Sequence, residues 1–216
     1  MIERRTFCST AFSTLAAGSL GTHLAASPIT PSLFQNAANP SGKTKTCTLG
    51  YSTYALPTLS AEEAAKFIGS LGYDSIEFTI TADRTVAPEK LSEKDRKALV
   101  GWLQKYGLKA TALMENLRPA DSAQRHLADC ERLERACELA TALQPDSPPV
   151  IQTVLGQSNW SQVRELCAKR MKDWLKIAEK NRVIVGIKPH RGHAMSRPAD
   201  AIWLLKKLGD PPWIRM

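Results

Sequence analysis

Aromatic residues make up only 6% of this 216-residue sequence. They do not interleave with the basic residues, so the stacking platform of a single-strand nucleic-acid binder has no counterpart here. Basic residues outnumber acidic ones, 29 to 21, for a net charge of +8, but no run of five or six basic residues concentrates that charge. Nucleic acid is therefore not an expected partner. The five cysteines include no C-x-x-C pair, which excludes a zinc finger. No G-x-G-x-x-G follows the first strand-like segment and no P-loop occurs, so a dinucleotide or nucleotide fold lacks its fingerprint. The apolar run near the N-terminus is too short and too weakly hydrophobic for a membrane span, so no stable span is expected. Histidine is scarce too, with 4 residues, yet two of them stand three positions apart in VIVGIKPHRGHAMSRP (183–198).

The opening segment has its own chemistry. MIERRTFCSTAFSTLAAGSLGTHLAAS joins a paired Arg4 and Arg5, then Phe7, to a run of Ala, Ser, Thr and Gly with a small-residue region at Leu24–Ser27. It resembles a twin-arginine export signal, which implies a signal over 1–26 and a periplasmic location. Residues 27–46 are rich in Pro, Ser and Asn and are expected to be a linker.

From residue 47 the pattern alternates between short β-like runs and amphipathic helices. CTLGYSTYAL (47–56), YDSIEFTI (73–80), LKATALMEN (108–116), PPVIQTVLG (148–156) and VIVGIKPH (183–190) are the strands, and PPWIRM (211–216) opens a sixth. Ser60 with Glu63 forms a capping box into a helix stopped by Gly72, and Ser92 with Asp95 opens the next, stopped by Gly107. A helix over 122–143 is expected to bury Leu127, Cys130, Leu133, Cys137 and Ala140. A longer one near 159–181 carries an apolar stripe that includes Leu166, Met171 and Trp174. The last helix, entered through Pro198, bears Ile202, Trp203, Leu205 and Leu208. Trp102, Trp160, Trp174 and Trp203 follow helical spacing and are expected to pack. His126 is expected on a charged surface. Strands alternating with helices across short loops make βαβ units and a parallel sheet, α/β in class. A (β/α)8 barrel takes about 250 residues. Residues 47–216 supply about five and a half such units, an incomplete TIM-type barrel.

An ordered series of segments, GYS (50–52), LGYDSIEF (71–78), the strand start GLKA (107–110) and VGIKPH (185–190), resembles the xylose-isomerase-like TIM barrels, the sugar phosphate isomerase/epimerase relatives. The resemblance spans roughly 47–216. It implies a small-molecule carbohydrate as partner and a divalent metal (Mn, Mg or Zn) at the C-terminal mouth of the barrel. That metal would polarise a sugar carbonyl and hydroxyl while carboxylates move a proton between carbons. The family ligands are a Glu ending strand five, then an Asp, a His and a Glu on the three strands after it. Here Lys188 stands at the Glu position, and a protonated lysine cannot ligate a metal. The metal ligands therefore stay unassigned.

Side-chain alternation sets Val183, Val185 and Ile187 against the helices and turns Ile184, Gly186, Lys188 and His190 inward. The same reasoning turns Glu77 inward and Ile76, Phe78 and Ile80 outward, while Glu115, beside Asn116, ends the third strand. The candidate catalytic residues are Lys188, His190 and Glu77, and the candidate substrate-binding residues are Arg191, His193 and Glu115. Lys188 could equally snorkel to solvent or pair with Glu77 or Glu115. Three functions compete: a sugar isomerase or epimerase, a non-catalytic carbohydrate binder whose Lys/His/Arg cluster takes an anionic sugar without metal, and a nuclease like endonuclease IV. The third needs several zinc ions held by His and carboxylates, which a histidine-poor chain serves badly.

Overall fold

The computed structural model describes residues 47–216; the segments expected to be a signal (1–26) and a linker (27–46) lie outside the described residues. Six parallel strands pair strictly in chain order. They are β1 (Gly50–Ser52), β2 (Ser75–Thr79), β3 (Lys109–Glu115), β4 (Val150–Thr153), β5 (Val185–Ile187) and β6 (Ile214–Arg215). Five helices connect them: α1 (Ala61–Ser70), α2 (Glu93–Lys105), α3 (Ala123–Leu143), α4 (Trp160–Asn181) and α5 (Pro198–Lys207). This is the incomplete TIM-type α/β barrel expected from the alternation. Among the described residues β1 and β6 are the edges of the sheet.

Helix starts follow local chemistry. Ser60 and Ser92 each accept the backbone N–H three residues on, and Glu63 and Asp95 return the bond to the cap. Ser122 accepts the Arg125 N–H to cap α3 and Asn159 accepts the Ser161 N–H to cap α4, leaving fewer unsatisfied N–H groups in the first turn. Pro198 sits at the first position of α5, where its missing N–H costs nothing.

The core lies between the sheet and the helices. Ile76, Phe78 and Ile80 of the second strand segment, Val183, Val185 and Ile187 of the fifth, and Leu113, Ile151 and Ile214 are all buried. They meet Ile68, Leu99, Leu133, Met171, Trp174 and Leu204 from the helices. Burying one large aliphatic side chain contributes about 1.5–3 kcal/mol, so this layer carries most of the stability. The opposite face of the sheet, with Met114, Val150, Ile184 and Gly186, is only half-buried.

Several expectations need correction. The first strand is shorter than 47–56, because a 3-10 turn begins at Thr53, with Ser52 accepting the N–H of Tyr54. Leu127 is 65% exposed and His126 is only 7% exposed. The buried stripe of α3 runs through 126, 133 and 140, seven apart, and Leu127 lies about 100° around the helix from it. His126 Nε2 meets Asp173 Oδ2 of α4 at 3.2 Å, with Cys130 Sγ 3.7 Å from the ring, so a polar pair fills that stretch of the helix interface. Leu166 and Ile202 are exposed, at the outer margins of their helices. The tryptophans at 102, 160, 174 and 203 do pack as expected: Trp174 is fully buried, and Trp102, Trp160 and Trp203 lie against the core, the last two edge to face at 5.9 Å.

Candidate functional site

Parallel strands deliver their C-terminal ends to one side of the sheet, and there the loops enclose a cavity of about 860 Å³. Glu77, Thr79, Met114, Asn116, Lys188, His190 and His193 all line it. The structure therefore brings Glu77, Lys188, His190, His193 and Glu115 to one mouth, but not Arg191, which is exposed and outside the lining.

The loop after β5 explains the difference. His193 N–H donates to the His190 carbonyl at 3.0 Å, and Gly192 between them has φ +83°. This is the pattern of a type II turn, whose third residue needs a positive φ that glycine adopts without strain. His190 and His193 are the ends of that turn, so their rings meet edge to face at 4.5 Å. Arg191 occupies the projecting corner. His190 N–H then donates to the Met195 carbonyl at 3.0 Å, and Ala194 N–H to the Gly156 carbonyl at 2.8 Å, tying the loop to the end of β4.

Protonation follows from these contacts. His190 Nδ1 lies 2.8 Å from the carbonyl of Arg191, which can only accept. Nδ1 therefore carries a proton, and in the neutral ring Nε2 presents the lone pair. His193 is held below its usual pKa by burial, reinforced by the Arg118 guanidinium and by His190 whenever that ring is protonated. Its Nδ1 is buried and has no hydrogen-bond partner.

The carboxylates divide into committed and available. Ser52 Oγ donates to Glu77 at 2.6 Å, fixing one oxygen of an otherwise open group. Glu115 shares the helix-facing side of β3 with Leu113 and is 2% exposed. Arg132 Nε of α3 lies 2.5 Å from it, Asn116 N–H donates to its other oxygen at 2.8 Å, and Arg132 also reaches Glu89 at 2.8 Å and the Ile80 carbonyl. Burial pushes the Glu115 pKa up and Arg132 draws it back, while the two carboxylates raise the pKa of Arg132. At this spacing the pair is a guanidinium and a carboxylate clamping the ends of β2 and β3 to α3. Glu115 is thus part of the mouth's frame, with its charge already matched. Asp129 is likewise engaged, by Arg125 Nε at 2.8 Å and the Arg118 N–H at 2.6 Å.

Lys188 pairs with neither Glu77 nor Glu115. Its Nζ donates to Gln152 Oε1 at 3.3 Å, a long bond to a neutral group. Thr79 Oγ1 and Asn116 Oδ1, at the ends of β2 and β3, are buried and unpartnered. Buried polar atoms without partners are uncommon, and these two line the same cavity as Lys188. Sequence reasoning missed both, along with Arg118, because nothing in the one-dimensional pattern shows that three separate loops converge.

The class defined by this fold and mouth is an α/β barrel-type protein with a cavity at the C-terminal ends of its parallel strands, where such barrels place their sites. The family model for the xylose isomerase-like TIM barrel matches residues 64–216, and the chain belongs to that family. No curated protein matches the sequence. Among solved structures the chain is similar to the apo form of 3-keto-D-glucoside 4-epimerase, YcjR, from E. coli, at 14% identity and a TM-score of 0.64, covering 78% of this chain and 66% of that one. It is similar to the probable 3-DHS dehydratase AsbF of petrobactin synthesis from Bacillus anthracis, at 18% identity and a TM-score of 0.63, covering 78% and 61%. It is also similar to a xylose isomerase-like TIM barrel protein from Mycobacterium smegmatis in complex with magnesium, at 16% identity and a TM-score of 0.60, covering 78% and 63%. The chain thus spans less than two thirds of the length of these structures.

The divalent metal implied by the family does not fit the residues at this mouth. No group of three or more His, Cys, Asp or Glu side chains among the described residues is arranged to hold a metal ion. Lys188 brings an ammonium to the position of the expected carboxylate, Glu115 is consumed by Arg132, and His190 and His193 present only two nitrogens. Among the described residues no helix is long and apolar enough to cross a membrane.

Proposed function

We propose that this mouth binds a small polyhydroxylated molecule and that the protein is a sugar isomerase- or epimerase-like enzyme acting by proton transfer. The observation that carries this reading is the company kept in one cavity. A carboxylate (Glu77), an ammonium (Lys188) and an imidazole with a free lone pair (His190) line it together with the unpartnered Thr79 and Asn116 oxygens. The unpartnered oxygens are acceptors for sugar hydroxyls. His190 Nε2, or Glu77, takes the proton from the carbon next to a carbonyl. Lys188 donates a hydrogen bond to the oxygen where negative charge develops. Delivery of a proton to the other face of the same carbon by the second of these two groups, His190 or Glu77, epimerises it. Delivery to the former carbonyl carbon, with the neighbouring hydroxyl proton passing to the former carbonyl oxygen, isomerises the sugar. No step of this scheme passes through a metal.

A second reading is a carbohydrate-binding relative that does no chemistry. The exchange of a carboxylate for Lys188 at the family's metal position favours it. The leader-like start adds the proposal that the protein works in the periplasm.

The test is solvent exchange. Aldoses and ketoses incubated with the protein in D2O should gain deuterium at the carbon beside the carbonyl, read by proton NMR. Lys188→Gln and His190→Ala should each remove that exchange. Binding of a sugar without exchange would select the second reading, and no binding of any sugar would overturn both.

A further inference from the structure

Arg118 has no place in the proton-transfer scheme, yet its surroundings are built with care. It follows β3, and its backbone N–H is fixed by Asp129. Its side-chain stem runs over Gly156, where a Cβ would come within 3.2 Å of Arg118 Cγ. Gly156 also has φ +75°. The glycine is thus favoured by its backbone, and any side chain there would also press on the arginine stem. Its carbonyl receives the N–H of Ala194, which places His193 of the β5 loop beside the arginine.

The charges around this corner are uneven. Of the acidic groups lining the cavity, Asp83 meets Arg84, Glu89 and Glu115 meet Arg132, and Asp129 meets Arg125, while Glu131 stays exposed to solvent on α3. Among the described residues the Arg118 guanidinium forms no ion pair, and neither does Lys188. Glu77, the acidic residue of the inner face, is bonded to Ser52 on the β1 side of the mouth. The corner where Arg118 stands therefore has a cation without an acidic partner, next to a buried His193 nitrogen that also has none.

We propose that Arg118 and His193 form an anion subsite at this corner, which holds the phosphate or carboxylate of an anionic sugar while its carbonyl end reaches Lys188 and His190. A guanidinium presents a planar fork matched to either group, and His193 supplies a ring nitrogen from the adjacent loop. This rests on the reading of the mouth as a sugar site and adds the charge of the substrate. Arg118 is a binding residue in it, remote from the proton transfer.

Isothermal titration of the full 216-residue chain tests the subsite with four probes: glucose 6-phosphate, glucuronate, glucose and inorganic phosphate. At least one anionic sugar should bind about 10–100-fold tighter than glucose, the range of one or two charge-assisted hydrogen bonds. Arg118→Gln should remove that advantage and leave glucose affinity unchanged. Preference for glucose 6-phosphate names a phosphate ligand, and preference for glucuronate a carboxylate. Arg118 is exposed, so this variant keeps the fold, and a circular dichroism melt verifies it. His193→Gln provides an independent second variant with the same expected loss. Equal binding of glucose and the anionic sugars, or full affinity in Arg118→Gln, would overturn the subsite while leaving the sugar site intact. Binding of inorganic phosphate alone would also overturn it. No binding by any sugar would overturn the subsite together with the reading it rests on.

Discussion

Removing the Arg132 guanidinium would leave Glu115 buried at the end of β3 with a single backbone N–H for a partner. Arg132 makes three connections from α3, to Glu115, Glu89 and the Ile80 carbonyl. The Glu89 side chain is 28% exposed, so water replaces much of what it loses. Glu115, at 2%, has no such recourse. The cost of Arg132→Met is therefore set by one uncompensated buried carboxylate, about 3–5 kcal/mol. Urea unfolding followed by far-ultraviolet circular dichroism should show the midpoint falling with little change in slope. Glu115→Gln placed in the Arg132→Met background removes the stranded charge. It should recover stability, with a coupling of at least about 1.5 kcal/mol between the two sites. The pH dependence gives a second check. Burial already raises the Glu115 pKa, and loss of Arg132 raises it further. A carboxyl whose folded pKa is raised favours the native state at pH below its unfolded value and loses that advantage as pH rises through the folded value. The penalty of Arg132→Met should accordingly be largest at neutral pH and shrink toward pH 4.5, the ordinary glutamate value. A neutral-pH penalty below about 1 kcal/mol, typical of exposed pairs, would refute the frame assigned to this network.

His193 should titrate below the ordinary histidine value of 6.5 in ring-proton NMR, and Arg118→Gln should move it upward by removing one neighbouring cation. Because its folded pKa is depressed, His193 contributes stability above pH 6.5 that is lost as pH falls toward the folded value. Gly192→Ala forces a side chain onto φ +83° and should cost about 1–2 kcal/mol. It should also weaken sugar binding by separating His190 from His193, measured by titration calorimetry. Cys137 and Cys167 are buried, with pKa values pushed up by burial to about 12 and about 11, and Cys130 is raised to about 11. These three should resist iodoacetamide at neutral pH while exposed Cys47 reacts, as read by peptide mass spectrometry.

The layer order was legible because βα alternation is written in local signals. Serine caps, stop glycines and a change of hydrophobic period mark each element within a few residues, and they hold at α1 and α2 as the sequence implies. Faces of strands were legible for the same reason: Lys188 opposite Val185 and Ile187 needs only a period of two. The third strand breaks that rule. The register between β2 and β3 shifts at Ile76/Glu77, where Ala110 and Ala112 oppose successive residues. With Thr111 as the extra residue, counting alone cannot assign Glu115 to a side. The Arg132 that claims its charge lies 17 positions away on a helix, where nothing local announces the pair.

The histidine pair shows the limit more sharply. Its spacing suggested a shared site, and the rings do meet, but spacing alone ranked Arg191 beside them as a ligand-binding residue. What separates Arg191 from its neighbours is the turn. A bond from His193 N–H to the His190 carbonyl requires the two residues between to form the corner. The identity of Gly192 is the local mark of that geometry, since its φ of +83° is one that a side chain rarely tolerates. Read as a turn, PHRGH places histidines at both ends and expels the arginine to solvent. The cation the site lacks at Arg191 is supplied instead by Arg118, 73 positions earlier in the chain. It reaches the cavity because Gly156 leaves room for its stem. Substituting Gly156 by Ala should therefore weaken binding of an anionic sugar by displacing Arg118, with no direct contact between residue 156 and the ligand. Unchanged affinity in a folded Gly156→Ala protein would show that the arginine reaches the mouth by another path.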